Sequence, residues 1–259
     1  MVQDCLKGRV AIVTGASRGI GKALAFTCAS LGINLAIVSR NQDSLEGVAK
    51  EITEKYGVDV LALACDVTKL KDLENLVDKT KSKFGRIEIL INNAGVSSQY
   101  PFHQQPIEEF ESLVYTNYLG YVRLIRLVIN DMIEKRAGTI VNIVSGSTLC
   151  DPLPRNFIVY SSLKLGLRAF SKALFWEVRD YGIKVSAILP GVTDTELTSK
   201  LKDTTQDKSR LMSTEAIENA LKFILTVPSN VCPLEIAVIN QQTPWVKPVI
   251  PYSQSHPEE

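Results

Sequence analysis

The sequence predicts an α/β fold, a doubly wound parallel seven-stranded sheet with helices on both faces, and three observations carry that expectation. Seven short, β-rich apolar runs recur along the chain, helical patterns lie between them, and the runs are apolar throughout instead of alternating in and out. Continuously apolar strands are those covered on both sides, and β-α repetition threads such strands in parallel. The result is a Rossmann-type architecture. Such sheets bind ligands outside the carboxyl ends of their strands, so residues at those ends carry the functional reading.

In chain order the strands are RVAIVT (9–14), NLAIVS (34–39), VLALA (60–64), IEILIN (87–92), TIVNIV (139–144), KVSAIL (184–189) and LEIAVI (234–239). Each is a run of branched and aliphatic residues of strand length. Helical patterns fill 21–31, 44–56, 71–84, 107–135, 159–181 and 214–226. No linker or composition shift interrupts the chain, so one domain is expected over 1–242, followed by a Pro-containing tail over 243–259, TPWVKPVIPYSQSHPEE.

Composition narrows the function. Hydrophobic residues make up 45% and charged residues 22%, with mean hydropathy +0.06, the balance of an ordinary globular domain. A formal net charge of +1 gives no electrostatic support for nucleic acid or a membrane surface as partner. Only two histidines occur, His103 and His256, so a His-based triad or a multi-His metal site is not expected. The five cysteines, Cys5, Cys28, Cys65, Cys150 and Cys232, are widely spaced with no Cys-x-x-Cys pair, and fit free thiols in a reducing compartment. The opening MVQDCLKGRVAIVTG reads as no signal or transit segment, and no stretch is apolar enough to span a bilayer. A cytoplasmic protein is the expectation.

Chemistry concentrates at the strand ends. After the first strand, Thr14-Gly15-Ala16-Ser17-Arg18-Gly19-Ile20-Gly21 leads into a helix. Glycines there allow a tight turn, close approach of a pyrophosphate, and packing of the helix start on the strand. At the end of the second strand an NAD site would place an acid for the ribose hydroxyls; this chain has Ser39-Arg40-Asn41. Arg40 could clamp a 2′-phosphate with Arg18 as a second cation, which points to NADP. Asp66, after the third strand, could accept from an adenine amino group or serve as a turn residue. Asn92-Asn93-Ala94-Gly95 ends the fourth strand with two amides able to line a cofactor and pin neighbouring strands. Tyr160 and Lys164 stand one helical turn apart in YSSLK, where an ammonium would lower the phenol pKa for proton exchange. Ser145, at the preceding strand end, could hold a substrate oxygen.

Taken together, TGASRGIG, NNAG, Asn117, Ser145, YSSLK and LPGVTDT resemble the short-chain dehydrogenase/reductase family in its common, non-extended branch, from Gly8 to about Ile239. The resemblance implies an NADP(H)-dependent oxidoreductase that interconverts a small-molecule ketone or aldehyde and an alcohol. By it, Tyr160 protonates the carbonyl oxygen and Ser145 orients that oxygen. Lys164 lowers the Tyr160 pKa and holds the nicotinamide ribose, and Asn117 supports Lys164 through a water. Gly15, Ser17, Arg18, Gly19, Ile20 and Gly21 would face the phosphates and adenosine ribose, Arg40 the 2′-phosphate, and Asp66 and Val67 the adenine. Asn93, Ala94 and Gly95 would line the ribose, and Pro190, Gly191, Thr193 and Thr195 the carboxamide; Thr193 departs from the apolar residue usual there. The loop after Thr195 would close as a lid.

Leu124, Leu127, Leu167, Phe170 and Trp176 on the two long helices suggest a homodimer or homotetramer, as family members commonly form. The C-terminal part lacks the glycine pair common in 3-oxoacyl carrier-protein reductases, so that activity is an alternative, alongside an NADP(H)-binding redox sensor or scaffold with little turnover. An extended-branch epimerase or dehydratase has too little chain after the seventh strand. The family usually separates its serine from the tyrosine by 13 positions, which fits Ser147. Strand register instead aligns Val141, Ile143 and Ser145 on one face and favours Ser145.

Overall fold

A computed structural model of the chain describes residues 6–199 and 207–245. In chain order its elements are β1 (Val10–Thr14), α1 (Gly19–Ser30), β2 (Asn34–Ser39), α2 (Gln42–Tyr56), β3 (Val60–Ala64), α3 (Leu70–Phe84), β4 (Ile89–Asn92), α4 (Ile107–Val114), α5 (Gly120–Lys135), β5 (Gly138–Ile143), α6 (Ile158–Val178), β6 (Ile183–Pro190), α7 (Glu196–Ser199), α8 (Glu215–Thr226) and β7 (Glu235–Val238). All seven expected strands form, β2 and β3 with the expected bounds. They make one parallel sheet in the order β3-β2-β1-β4-β5-β6-β7. The chain starts mid-sheet, winds outward to β3, then returns through α3 to β4 and winds the other way. The reversal leaves a crevice between the ends of β1 and β4.

Strand alternation distributes the core to both faces. Ala11 and Val13 of β1, with Leu35, Ile37, Ile89 and Ile91, pack under α1, α2 and α8. Their neighbours Ile12, Ala36, Val38 and Leu90 face α3 and α5 instead. Both registers are apolar because both faces are covered, which is why these strands show no in-out pattern. Gly57 (φ 66°) and Gly85 (φ 76°) close α2 and α3 in the left-handed region.

Two expectations are corrected. The single helix expected over 107–135 is interrupted by a π-helical turn, Tyr115–Leu119, which widens the helix by one residue between α4 and α5. Such a turn costs hydrogen-bond geometry and persists where side chains compensate; here Asn117, fully buried within it, bonds the backbone of Val96. The apolar residues offered for self-association also divide. Leu124 and Leu167 are wholly buried in the core, whereas Trp176, at 58%, is exposed together with Ile158 and Leu165. Of the expected tail, residues 246–259 lie outside the described residues, as do Cys5, His256 and residues 200–206 of the expected lid. Among the described residues, no helix is long and apolar enough to cross a membrane.

Buried polar groups lock the centre of the sheet. Asn92 of β4 donates to Asn142 of β5 at 3.0 Å, and Asn142 donates to Ser171 of α6 at 2.9 Å. At the reversal, the Thr14 hydroxyl accepts the backbone N–H groups of Asn93 (2.9 Å) and Ala94 (3.0 Å), while the Asn93 amide donates to the Thr14 carbonyl at 3.0 Å. Thr14 is 1% exposed, so no water can replace its oxygen. Thr14→Val therefore leaves two N–H groups unpaired and should lower unfolding free energy by about 1–3 kcal/mol in denaturant titration. A change below about 0.5 kcal/mol would show that these bonds add nothing.

Candidate functional site

The β1–α1 loop is shaped by contacts that only glycine permits. Gly15 has φ +67°, and a Cβ there would stand 2.9 Å from the Ala94 Cα; at Gly21 a Cβ would stand 2.1 Å from the Gly15 carbonyl oxygen. The loop thus lies flush on the end of β4, and α1 begins immediately against it. Arg18 occupies the N-cap position of α1 with no side-chain cap bond. Its first-turn N–H groups therefore face the crevice uncapped by their own N-cap side chain, the arrangement that binds an anion such as a pyrophosphate.

Beyond this loop, the ends of β2 and β3 supply Arg40, Asp66 and Val67 to the crevice wall. Arg40 is exposed beside the N-terminus of α2, whose cap is Asn41 accepting from Ser44 N–H at 2.9 Å. The acid in the first turn of α2, Asp43, does not line the crevice. Asp66 takes the turn role: its carboxylate accepts Thr68 N–H (3.1 Å) and hydroxyl (2.8 Å). Arg18 reaches across the crevice to form an ion pair with Glu196 of α7. That contact ties the glycine loop to the segment after β6, where the Thr195 methyl group also approaches Gly19.

The side chains expected to carry the chemistry converge where β5 ends. Ser145 follows the strand and caps a short 3-10 turn, accepting Ser147 N–H at 3.2 Å. Its hydroxyl is hydrogen-bonded to Tyr160, which α6 delivers half-buried to the same spot. Ser147 turns away, accepting from the Ser161 hydroxyl at 3.0 Å, and does not line the crevice. One turn along α6 from Tyr160, the buried Lys164 donates to the Ile143 carbonyl at 2.8 Å and to the Tyr121 hydroxyl at 3.2 Å. Burial pulls the Lys164 ammonium down to about 7. The Tyr160 phenol is pushed up by burial, with its bond to Ser145 acting the other way. This differs from the expectation that Lys164 lowers the Tyr160 pKa. The Lys164 amine turns toward a carbonyl and a second phenol, and what acts on the Tyr160 phenol is its own burial and its bond to Ser145.

Asn117 sits behind this group, but its carboxamide is committed to Val96, accepting at 3.1 Å and donating at 2.8 Å. Opposite, Pro190 ends β6, and Gly191, Thr193 and Thr195 follow it. Asn240 holds that segment by accepting Val192 N–H at 2.7 Å and donating to the Val192 and Arg210 carbonyls. Thr193 is 3% exposed and bonds the Gly191 carbonyl at 3.2 Å, so its polar side chain is satisfied internally.

These walls enclose a crevice of about 1190 Å³, lined by the residues singled out for cofactor or catalysis except Asn92, which is buried against Asn142. Among the described residues, no cluster of His, Cys, Asp and Glu could hold a metal. Two participants escaped the sequence reading. Tyr121 and Asn240 each act through a neighbour rather than facing the crevice; Tyr121 lies within α5, away from any strand end, and Asn240 follows β7 as a lone amide with no motif around it.

Comparison with known proteins agrees with this geometry. Residues 9–206 match the short chain dehydrogenase family. An oxidoreductase of uncharacterised activity from Staphylococcus saprophyticus is 32% identical over 233 residues, covering 90% of this chain and 97% of the relative. The 3-oxoacyl-[acyl-carrier-protein] reductase of Escherichia coli is 32% identical over 225 residues, covering 84% of this chain and 90% of that protein. Among solved structures, L-sorbose reductase from Gluconobacter frateurii, complexed with NADPH and L-sorbose, superposes with a TM-score of 0.80 at 28% identity, covering 93% of this chain and 98% of that one. A parallel seven-stranded sheet reversing at β1 and β4, a glycine loop that admits no Cβ, and Ser145, Tyr160 and Lys164 gathered at one strand end thus coincide with sequence likeness over most of the chain, and the protein belongs to the short-chain dehydrogenase/reductase family.

Proposed function

We propose that the protein is an NADP(H)-dependent oxidoreductase that interconverts a ketone or aldehyde and an alcohol. The observation that carries this reading is the meeting of Ser145, Tyr160 and Lys164 at the end of β5, across the crevice from the glycine loop. NADPH, when bound, supplies the hydride. The Ser145 hydroxyl donates to the substrate oxygen and holds it beside Tyr160, which gives up its phenol proton as the carbonyl becomes an alcohol. A phenol kept above its ordinary pKa by burial remains protonated at neutral pH, the state an acid needs for reduction. Lys164, once charged, stabilises the phenolate left behind. The NADPH complex of L-sorbose reductase and the pairing of Arg40 with the N-terminus of α2 favour NADP(H) as the cofactor.

The carbonyl class remains wide, and the Escherichia coli relative makes a 3-oxoacyl thioester one arm of any substrate panel. A redox-sensor reading draws no support from the cysteine lining the crevice. Burial, with Asp72 and Asp66 adding to it, pushes the Cys65 thiol up to about 12, far from the thiolate that sensing requires. Exposed Ile158, Leu165 and Trp176 on α6 offer an apolar face for pairing into a homodimer or homotetramer.

A panel of ketones, aldehydes, sugars and 3-oxoacyl thioesters, followed by NADPH absorbance, tests the activity. Direct titration should show NADPH binding at least about tenfold tighter than NADH, the worth of one charge-assisted contact, and Arg40→Asp should erase that preference. Equal affinities in the wild type would refute the cofactor assignment. Tyr160→Phe should reduce turnover by about 10²–10⁴-fold with NADPH affinity nearly intact, because the ring stays and only the transferable proton is lost. Retention of more than a tenth of the rate would move the acid role elsewhere. Ser145→Ala should lower kcat sharply while Ser147→Ala changes it little; the opposite pattern would assign substrate orientation to Ser147.

A further inference from the structure

Lys164 is held from a direction that the Tyr160–Lys164 spacing does not reveal. Its amine reaches past the strand end to a cradle built by two other elements: the Ile143 carbonyl of β5 at 2.8 Å and the Tyr121 hydroxyl of α5 at 3.2 Å. The amine also lies 4.8 Å from the centroid of the Tyr121 ring, within the range of a cation–π contact. Tyr121 is only 2% exposed, and its own hydroxyl lies 3.4 Å from the same Ile143 carbonyl, so phenol, amine and carbonyl form one buried triangle. The groups that bond this amine are the Tyr121 phenol from α5 and a main-chain carbonyl from β5, and Tyr160, one turn away on the same helix, lines the same crevice. Among the described residues, no carboxylate bonds it. The site therefore depends on neutral acceptors to keep a cation where it is needed.

We propose that Tyr121 is a positioning residue of this site, whose hydroxyl and ring hold the Lys164 ammonium at the end of β5. The inference rests on the reading of Tyr160 and Lys164 as reaction machinery. A hydroxyl accepting from an ammonium favours the charged form, as does the ring face beneath it. Burial opposes both, bringing Lys164 to about 7, and it keeps Tyr121 itself neutral by pushing that phenol far up. Lys164 is thus poised so that a small change in its cradle alters its charge at physiological pH. Deleting the Tyr121 hydroxyl removes one of the two acceptors, and the pKa of Lys164 falls further.

The sign of the effect on cofactor binding follows by linkage. If the ribose hydroxyls of NADPH bind the charged amine better, affinity declines as pH rises through the pKa of Lys164 in the free protein. In Tyr121→Phe that decline begins at lower pH. The ratio of NADPH dissociation constants, variant over wild type, cancels the titration of the cofactor's own phosphate. It should stay within about twofold at pH 6 and grow to roughly 3- to 10-fold at pH 8, the scale of one ordinary hydrogen bond. Fluorescence titration with NADPH on the full chain measures it. Tyr121→Phe keeps the ring and its packing, and Tyr121→Leu, which also removes the cation–π contact, should move the ratio further in the same direction. A ratio that is flat across this pH range, whether near one or uniformly raised, would overturn the proposal, because a packing defect has no reason to follow the ionisation of Lys164. The Lys164→Ala variant separates the two levels of the argument. If it leaves NADPH affinity unchanged at every pH, the reading of the site fails. If it weakens binding while Tyr121→Phe gives a flat ratio, only the role of Tyr121 fails.

Discussion

The Thr14 hydroxyl, accepting two backbone N–H groups from the end of β4, is the contact on which the rest of the site depends. It sits where the sheet reverses direction, the one place where neighbouring parallel strands send their following loops to opposite faces. Without it the ends of β1 and β4 could separate, and the glycine loop would lose its floor. With it, Gly15 is pressed so closely on Ala94 that no side chain fits, and α1 starts where its N-terminus points into the crevice. The second half of the sheet extends the same logic. The Asn92–Asn142–Ser171 ladder fixes β4, β5 and α6 to one another, and α6 is the helix that carries Tyr160 and Lys164. The glycine loop and the Ser145, Tyr160 and Lys164 group are thereby held by one internally satisfied polar framework in an otherwise apolar sheet.

Much of this was legible in the sequence because it rests on local rules. β2 and β3 were bounded correctly since apolar runs ending in Ser39 and Ala64 leave little choice of register. Gly15 and Gly21 announced close backbone approach, and Asn93 did pin β4 to its neighbour. The choice between Ser145 and Ser147 also turned on local geometry: the strand ends at Ile143, and the 3-10 turn that follows leaves Ser145 beside Tyr160 and carries Ser147 to Ser161.

What the sequence did not disclose depends on contacts between distant segments. The π-helical turn at Tyr115–Leu119 interrupts a pattern that is helical on either side, and its compensation comes from Val96, 21 positions away from Asn117. The surroundings of Lys164 lie beyond local spacing for a related reason. A spacing of four places an amine near a phenol, but burial and the cradle of Ile143 and Tyr121 decide whether that amine is charged. The pairing of Arg18 with Glu196 is likewise a contact across the crevice, joining the glycine loop to a segment far along the chain.

On the proposed function, NADP(H) lies across the reversal with its two ends held by specific residues. Crystals grown with NADP⁺ test it most directly. The expected density places the pyrophosphate over the glycine loop at the N-terminus of α1, the 2′-phosphate within about 2.7–3.2 Å of the Arg40 guanidinium, and the nicotinamide ring between Tyr160 and the Pro190–Gly191 turn. A dinucleotide bound in the opposite orientation, or with its 2′-phosphate directed away from Arg40 into solvent, would contradict it.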